Sequence, residues 1–193
     1  MRLGKSTNAA SRTSVRRRRA LGALIAFAGV PISTLGVLAV FANYPTEPLP
    51  EECQVDRIVI LKQDRLLEVH HGDRSIRRMR IALGREPEGA KDRQGDGRTP
   101  EGLYVIDGRN PNSRFHLSLR VSYPDACDRA QAQRLGVHPG GDIMIHGLPN
   151  RIGFIGRLHR TIDWTDGCIA VTNPEIRELW RCVSNGTPIE IYP

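Results

Sequence analysis

The chain from residue 55 onward alternates short apolar segments with polar turns. Three such segments, 57–62, 65–69 and 76–83, carry β-branched and leucine side chains in alternation with charged ones. This alternation predicts antiparallel strands of a sheet that has one solvated face. Residues 85–100 are highly charged and contain three glycines, and we expect a long loop there.

The rest of the chain predicts more strands and one or two small helices. Strand patterns occur at residues 102–106, 115–122, 142–146, 168–171 and 188–192, and residues 125–135 are helix-like. A second helix is expected to begin at Asn173, because a cap residue, a proline and an acidic residue follow one another there, and to end near residues 185–186. The fold class predicted is mainly β with small helices (α+β).

The N-terminal part has a different composition. Residues 20–42 contain no formal charge over 23 positions and follow four arginines at 16–19. A helix of that length can cross a hydrocarbon core of about 30 Å, and the arginines would stay on the cytoplasmic side. We therefore predict a basic cytoplasmic region at 1–19, a transmembrane signal anchor or signal peptide at 20–42, a proline-rich linker at 43–54 and one exported domain at 55–193. An uncleaved anchor is favoured because the apolar run is longer than that of a cleavable signal.

The net charge of +7 is concentrated in the N-terminal part. Residues 1–50 hold seven basic residues and one acidic residue, so the remaining 143 residues carry only +1. Aromatic residues make up 5% of the chain, too few for a surface on which bases could stack. Nucleic acid is therefore not expected as a partner.

Two predicted strands end or begin at residues with reactive side chains. Cys168 follows Asp166-Gly167 at the start of one strand, and His146 precedes Gly147 at the end of another. A cysteine attacks as the thiolate, which a nearby histidine can generate. If the two strands are neighbours, both side chains emerge at the same edge of the sheet and could form a nucleophile and base pair. A buried cysteine and a hydrogen-bonded structural histidine are the competing interpretation.

These motifs resemble a known family. Ile-His-Gly at 145–147 and Thr-Asp-Gly-Cys-Ile-Ala-Val at 165–171 are similar to the YkuD-type L,D-transpeptidase catalytic domain. The resemblance extends over most of residues 55–192 and is closest to the YafK-like branch. It implies a YkuD-like β-sandwich or barrel at 55–193, placed behind the N-terminal transmembrane or signal segment.

The resemblance also implies a mechanism and a set of site residues. Cys168 would form a thioester with a peptidoglycan stem peptide and release D-alanine, and His146 would move the proton. The Gly147 carbonyl would orient His146, and the amides of Gly167 and Cys168 would hold the oxyanion. No cofactor or metal is needed, and the location implied is the extracytoplasmic face of the inner membrane. We expect the substrate to contact Tyr104, His138, Arg151, Arg157, Thr165 and Asp166.

The chain departs from the family pattern at two positions. Asp166 stands where the pattern has a histidine, and its carboxylate would oppose thiolate formation if it lay close to the thiol. Ala170 stands where an arginine is common, so an anchor for a substrate carboxylate is missing, and Arg151 or Arg157 could replace it. The acyl acceptor, and hence transfer or hydrolysis, stays open.

Two different classes of protein compete with a cysteine enzyme. An envelope zinc peptidase could use His138, Asp142, His146 or His159, although no two of these residues have the helical HExxH spacing. A membrane-tethered, non-catalytic wall-binding module is the third class. One disulfide is possible among Cys53, Cys127 and Cys182, and the sequence does not choose the pair or the oligomeric state.

Overall fold

The structure is a computed structural model that describes residues 36–37, 48–50 and 52–193. The predicted basic region 1–19 and, apart from residues 36–37, the predicted anchor 20–42 lie outside the described residues. Within the described ranges, no helix combines the length and apolar character needed to cross a membrane.

The described residues form a mainly β domain, as predicted. Eight strands make one sheet, with two α-helices and one 3₁₀ helix beside it. The elements in chain order are β1 (Arg57–Leu61), β2 (Leu66–His71), β3 (Arg74–Arg80), β4 (Gly102–Ser113), β5 (His116–Val121), α1 (Ala126–Leu135), β6 (Met144–His146), the 3₁₀ helix (Gly153–Thr161), β7 (Ile169–Ala170), α2 (Asn173–Cys182) and β8 (Pro188–Tyr192).

The sheet is curled. Its strand order is β3-β2-β1-β8-β4-β5-β6-β7, with β1–β8 and β6–β7 parallel and the other pairs antiparallel. The segment after β3 returns to β7 through isolated bridges between Ala82 and Ala170 and between Gly84 and Thr165, so the two edges of the sheet meet. The alternating apolar side chains point inward and form a single core that includes the fully buried Ile58, Ile60, Ile106, Leu119 and Ile145.

Helix α2 begins where the sequence predicts. The Thr172 hydroxyl accepts from the Glu175 amide, and the Glu175 carboxylate accepts from the Thr172 amide, which satisfies donors that a helix start leaves free. Ile176 and Leu179 are fully buried. The helix ends at Cys182, earlier than expected, because Val183 is already extended.

The end of the predicted linker is attached to α2. Cys53 and Cys182 form a disulfide, which selects one of the pairings that the sequence left open. The Leu49 amide donates to Glu178 Oε2 at 3.2 Å, and Arg77 Nε donates to the same oxygen at 3.1 Å. These contacts make the end of the linker part of the folded domain's surface rather than a free spacer.

Removing this disulfide should lower stability. The bond closes a loop of sequence separation 129, and its loss restores that conformational freedom to the unfolded chain. We expect Cys53→Ser to lower the free energy of unfolding by about 2–5 kcal/mol. Denaturant unfolding measures this, with Cys127→Ser as the matched control because Cys127 is a free, exposed cysteine. Equal destabilisation by both variants would contradict the assignment.

Candidate active site

The two reactive residues lie on neighbouring strands. β6 and β7 pair in parallel, with Ile145 opposite Ile169 and His146 opposite Ala170. Cys168 immediately precedes β7, and side chains two residues apart on a strand share a face. His146 and Cys168 therefore lie on the same face of this pair.

The reason for this closeness differs from the one expected from the sequence. In a parallel pair, the end of one strand and the start of the next lie at opposite ends rather than at the same edge. The paired part is only two residues long, so Cys168 stands just two positions before Ala170, the strand partner of His146. The shortness of β7, rather than a shared sheet edge, keeps the two residues in the same part of the sheet.

His146 is held in one tautomer. Its Nδ1 donates to the Gly147 carbonyl at 2.7 Å, so Nε2 is left to accept a proton. The residue is 3% exposed, and burial lowers the pKa of its imidazole, against the opposing effect of the Gly147 bond. Gly147 is required here because a Cβ would lie 2.7 Å from Asn173 Oδ1.

The thiol of Cys168 is held between two backbone groups. Sγ donates to the Asp142 carbonyl at 3.5 Å and accepts from the Met144 amide. Burial raises the pKa of the thiol, and the Asp142 carboxylate adds to the increase, while the Met144 amide and the Lys91 ammonium oppose it. Asp142 has a φ of 55°, a conformation uncommon outside glycine, and its carbonyl lies against the nucleophile.

The Gly167 amide is less available to bind an oxyanion than the family resemblance implies. This amide donates to Thr165 Oγ1 at 3.1 Å, and that hydroxyl donates to the Cys168 carbonyl at 2.7 Å. Gly167 has a φ of 123°, and a Cβ there would lie 2.4 Å from the Arg98 carbonyl. Thr165 and Gly167 thus shape the turn that presents Cys168, and in this structure the Gly167 amide is bonded within the turn rather than directed at a substrate.

The carboxylate at the family's histidine position is neutralised by a partner. Asp166 is exposed and forms an ion pair with Arg85 Nη2. The carboxylate that raises the pKa of Cys168 belongs to Asp142 instead. Ala170, at the family's arginine position, is fully buried against Ala82, so this position has no room for a charged anchor.

A groove of about 600 Å³ lies next to Asp142 and Asp166, and neither Cys168 nor His146 is among the residues that line it. His138 and Asp166, both predicted to contact substrate, line it together with Asp142, whose carbonyl accepts from the thiol. Two further lining residues, Lys91 and Gln94, were not predicted from the sequence, because their loop carries no recognisable pattern.

Three other predicted substrate contacts lie elsewhere. Tyr104 is a core residue, 6% exposed, and its hydroxyl donates to Asp128. The prediction of a substrate contact for Tyr104 is therefore corrected. Arg151 and Arg157 lie on the segment between the two strands, before and within the 3₁₀ helix respectively, and are not among the groove residues.

A buried lysine that was not predicted from the sequence fixes the loop that packs against Gly167. Lys62 is 2% exposed, and its Nζ donates to Glu101 Oε1 at 2.6 Å and to the carbonyls of Gly89 and Thr99. These bonds fix both ends of the 85–100 loop, whose Arg98 carbonyl lies under Gly167. Only the fold brings Lys62 to this loop, so no local sequence signal could have identified it.

Asp163 braces the segment that leads to Cys168. Its two carboxylate oxygens accept from the Leu83 amide and from Arg65 Nε, both at 2.8 Å. This connects the approach to the catalytic turn with the segment after β3. Metal binding has no comparable support, since no three His, Cys, Asp or Glu side chains among the described residues are grouped to hold an ion.

The directions of the two pKa shifts predict the pH dependence of the thiol's reactivity. Burial raises the pKa of Cys168 and lowers the pKa of His146, so a neutral thiol and a neutral imidazole coexist at pH 7. We expect iodoacetamide alkylation of Cys168 to accelerate with pH and to reach its plateau above the usual pKa range of a cysteine thiol, with exposed Cys127 as the internal control for reagent reactivity. Peptide mapping by mass spectrometry follows both cysteines in one sample. A plateau for Cys168 in the acidic range would indicate a thiolate–imidazolium pair and contradict the neutral state.

Most of the described domain matches a known family. The L,D-transpeptidase catalytic domain family (YkuD) matches residues 55–191. The chain belongs to this family. A protein of Escherichia coli K12 provisionally named L,D-transpeptidase YafK is 32% identical over 114 residues, which cover 54% of this chain and 39% of that protein.

Solved structures share the fold. The helical cell shape determining protein Pgp2 of Campylobacter jejuni has a TM-score of 0.57 and 23% identity, covering 81% of this chain and 54% of Pgp2. Bd1075 of Bdellovibrio bacteriovorus has a TM-score of 0.52 and 24% identity, with 78% and 52% covered. The chain thus spans about two-fifths of the curated relative and about half of each structure.

Proposed function

We propose that this L,D-transpeptidase family member is a cysteine acyltransferase that acts on peptidoglycan stem peptides. The observation that carries the proposal is the placement of Cys168 and His146 on one face of the paired strands β6 and β7, with the His146 tautomer fixed by the Gly147 carbonyl. This arrangement provides a nucleophile and a proton acceptor beside an open groove.

The acylation step balances with these two side chains. Sγ of Cys168 bonds to the carbonyl carbon of a diaminopimelate residue as its proton passes to Nε2 of His146. The C–N bond to the terminal D-alanine then breaks, and His146 returns the proton to the leaving amine. The product is a thioester on Cys168 and free D-alanine.

The tetrahedral intermediate needs donors for its oxyanion. The Cys168 amide is assigned this role, and a donor of this kind contributes roughly 3–4 kcal/mol to the transition state. The Gly167 amide would join it only by releasing Thr165 Oγ1, to which it is bonded. The Thr165 hydroxyl therefore sets how many donors the oxyanion receives.

The second step decides the class of reaction. An amine of another stem peptide would attack the thioester and form a new amide, whereas water would release the acyl group as an acid. One observation favours hydrolysis as a second candidate: the family's arginine position is a buried alanine, which cannot anchor a carboxylate of an acceptor stem peptide. Both reactions use the same Cys168 and His146.

We place the enzyme on the extracytoplasmic side of the inner membrane, tethered by residues 20–42. The Cys53–Cys182 disulfide supports this location, because structural disulfides persist in oxidising compartments. The domain at 55–193 would then reach the cell wall from the membrane surface.

Mass spectrometry of products tests the proposal. The full chain is incubated with disaccharide-tetrapeptide, with the Cys168→Ala variant as control. A cross-linked dimer with loss of D-alanine indicates transfer, and monomeric tripeptide indicates hydrolysis. Recovery of unchanged tetrapeptide at enzyme concentrations near those of the substrate would contradict both reactions.

A further inference from the structure

His159 is a buried histidine with no part in the acylation step. It lies on the 3₁₀ helix between the catalytic strands, is 4% exposed, and its Nδ1 accepts from Trp164 Nε1 at 3.4 Å. The two rings are nearly perpendicular, at 87°. Because an indole N–H only donates, Nδ1 of His159 must be unprotonated for this bond to exist.

Trp164 in turn lies against the catalytic histidine. The centroids of Trp164 and His146 are 5.7 Å apart in an edge-to-face arrangement, and Phe115 lies on His146 at 4.4 Å. The Nδ1 bond to Gly147 fixes one point of the imidazole, while these two aromatic rings restrict its rotation. The plane of His146, and hence the direction of Nε2, depends on the orientation of Trp164.

We propose that His159 is a positioning residue for His146, acting by holding the indole of Trp164 in the edge-to-face orientation. This inference rests on the proposed function for one point, the assignment of the proton transfer to His146. The contacts themselves do not depend on which substrate is used.

The helix that carries His159 is fixed to α2. Arg160 forms an ion pair with Glu175, the residue that completes the capping box of α2. Both side chains are largely buried. The 3₁₀ helix therefore has a fixed register against α2, which keeps His159 next to Trp164.

The charge state of His159 suits an acceptor. Burial lowers its pKa to about 4, with Arg160 and His146 adding to the decrease and Glu175 opposing it. The neutral ring then carries its proton on Nε2, which is buried without a hydrogen-bond partner among the described residues. An unsatisfied donor costs free energy, so the favourable contribution of this side chain over a leucine or phenylalanine is its acceptor.

Protonation of His159 should break this arrangement. Below about pH 4, Nδ1 becomes a donor that faces the donor of Trp164, and a positive charge appears near His146. The indole N–H resonance of Trp164 in NMR should therefore shift with a midpoint near pH 4 in the full chain. In His159→Asn, whose amide oxygen can accept but does not titrate, this midpoint should be absent.

The decisive comparison uses variants that separate the acceptor from the volume. His159→Asn should keep the pH 7 alkylation rate of Cys168 within about threefold of the wild-type rate, because the asparagine still holds Trp164. His146 then keeps its contribution as general base, which is typically worth about 10²–10⁴-fold in rate. His159→Phe and Trp164→Phe should each lower the alkylation rate about tenfold or more, and the double variant should be no worse than either, because both remove one contact. Cys127 in the same sample is the internal reference, and circular dichroism checks the fold.

The outcomes distinguish this inference from the proposed function. Wild-type alkylation rates in both folded His159→Phe and Trp164→Phe would overturn the positioning role, and if His159→Phe does not fold, Trp164→Phe alone decides. An absence of turnover on muropeptides, combined with the expected alkylation pattern, would instead overturn the proposed substrate and leave the positioning role in place.

Discussion

Replacement of Cys168 by alanine should abolish turnover of stem peptides, with a loss of at least about 10⁴-fold. The thiol forms the covalent intermediate, and alanine leaves the proton acceptor without a nucleophile. Because Cys168 is half-buried and its thiol bonds to backbone groups, the fold should be retained. Release of D-alanine over time measures the effect.

Cys127→Ala is the matched control for this variant. Cys127 is the other free cysteine of the described residues, and it is exposed on α1. Its replacement should leave turnover unchanged. Iodoacetamide should inactivate the Cys127→Ala variant as fully as it inactivates the wild type. Substantial turnover by folded Cys168→Ala would mean that Cys168 is not the nucleophile, whereas a wild-type protein that binds cell wall without turnover would favour the wall-binding module.

Replacement of His146 should lower turnover by about 10²–10⁴-fold. The thiol has a raised pKa, so without an acceptor at Nε2 few molecules carry a thiolate at pH 7. His146 is buried, and alanine would leave a cavity beside Phe115 and Trp164. His146→Asn is therefore the sharper variant, since its amide can still donate to the Gly147 carbonyl but has no basic nitrogen.

The control and the pH profile separate chemistry from packing. His71→Ala removes an exposed histidine paired with Asp56 and should have no effect. If His146 is the base, raising the pH toward the thiol's own pKa should partly restore the alkylation rate of Cys168 in His146→Asn, because hydroxide then replaces the missing acceptor. An alkylation profile identical to that of the wild type would remove His146 from its assigned role.

The strands were predictable where the alternation of side chains is local. The three segments at 57–83 alternate over enough residues to define both faces, and they form β1, β2 and β3. Tyr104 could not be placed by this rule, because Leu103 and Val105 on the opposite face of its strand are apolar too. Gly102, Tyr104 and Ile106 share one face of β4, and Ile106 is fully buried, whereas Leu103 on the other face is 71% exposed.

Features that depend on distant partners were not predictable in the same way. β4 continues through residues 107–113, which have no strand pattern of their own, because β5 supplies their hydrogen-bond partners. The segment that forms the 3₁₀ helix looks in the sequence like a charged insertion only. Its apolar residues Phe154 and Leu158 are exposed in the structure, so they form no buried helical face.

The site followed the same division. The motifs identified Cys168, His146 and Gly147, because each stands in a short local pattern, Ile-His-Gly at 145–147 or Thr-Asp-Gly-Cys-Ile-Ala-Val at 165–171. The roles of Lys62 and Arg85 depend on contacts with residues far along the chain, and that of His159 depends on the geometry of the 3₁₀ helix. The hydrogen bond of the Gly167 amide was not predictable either, because it depends on the position of the Thr165 hydroxyl.

The intact mass of the protein after brief exposure to disaccharide-tetrapeptide tests the central claim most directly. A thioester at Cys168 predicts an added mass equal to the donor less D-alanine, mapped to the peptide that contains Cys168 and lost on treatment with hydroxylamine. Cys168→Ala should show no adduct. Turnover without any adduct in rapidly quenched samples, or an adduct that maps to another residue, would contradict a covalent mechanism at Cys168.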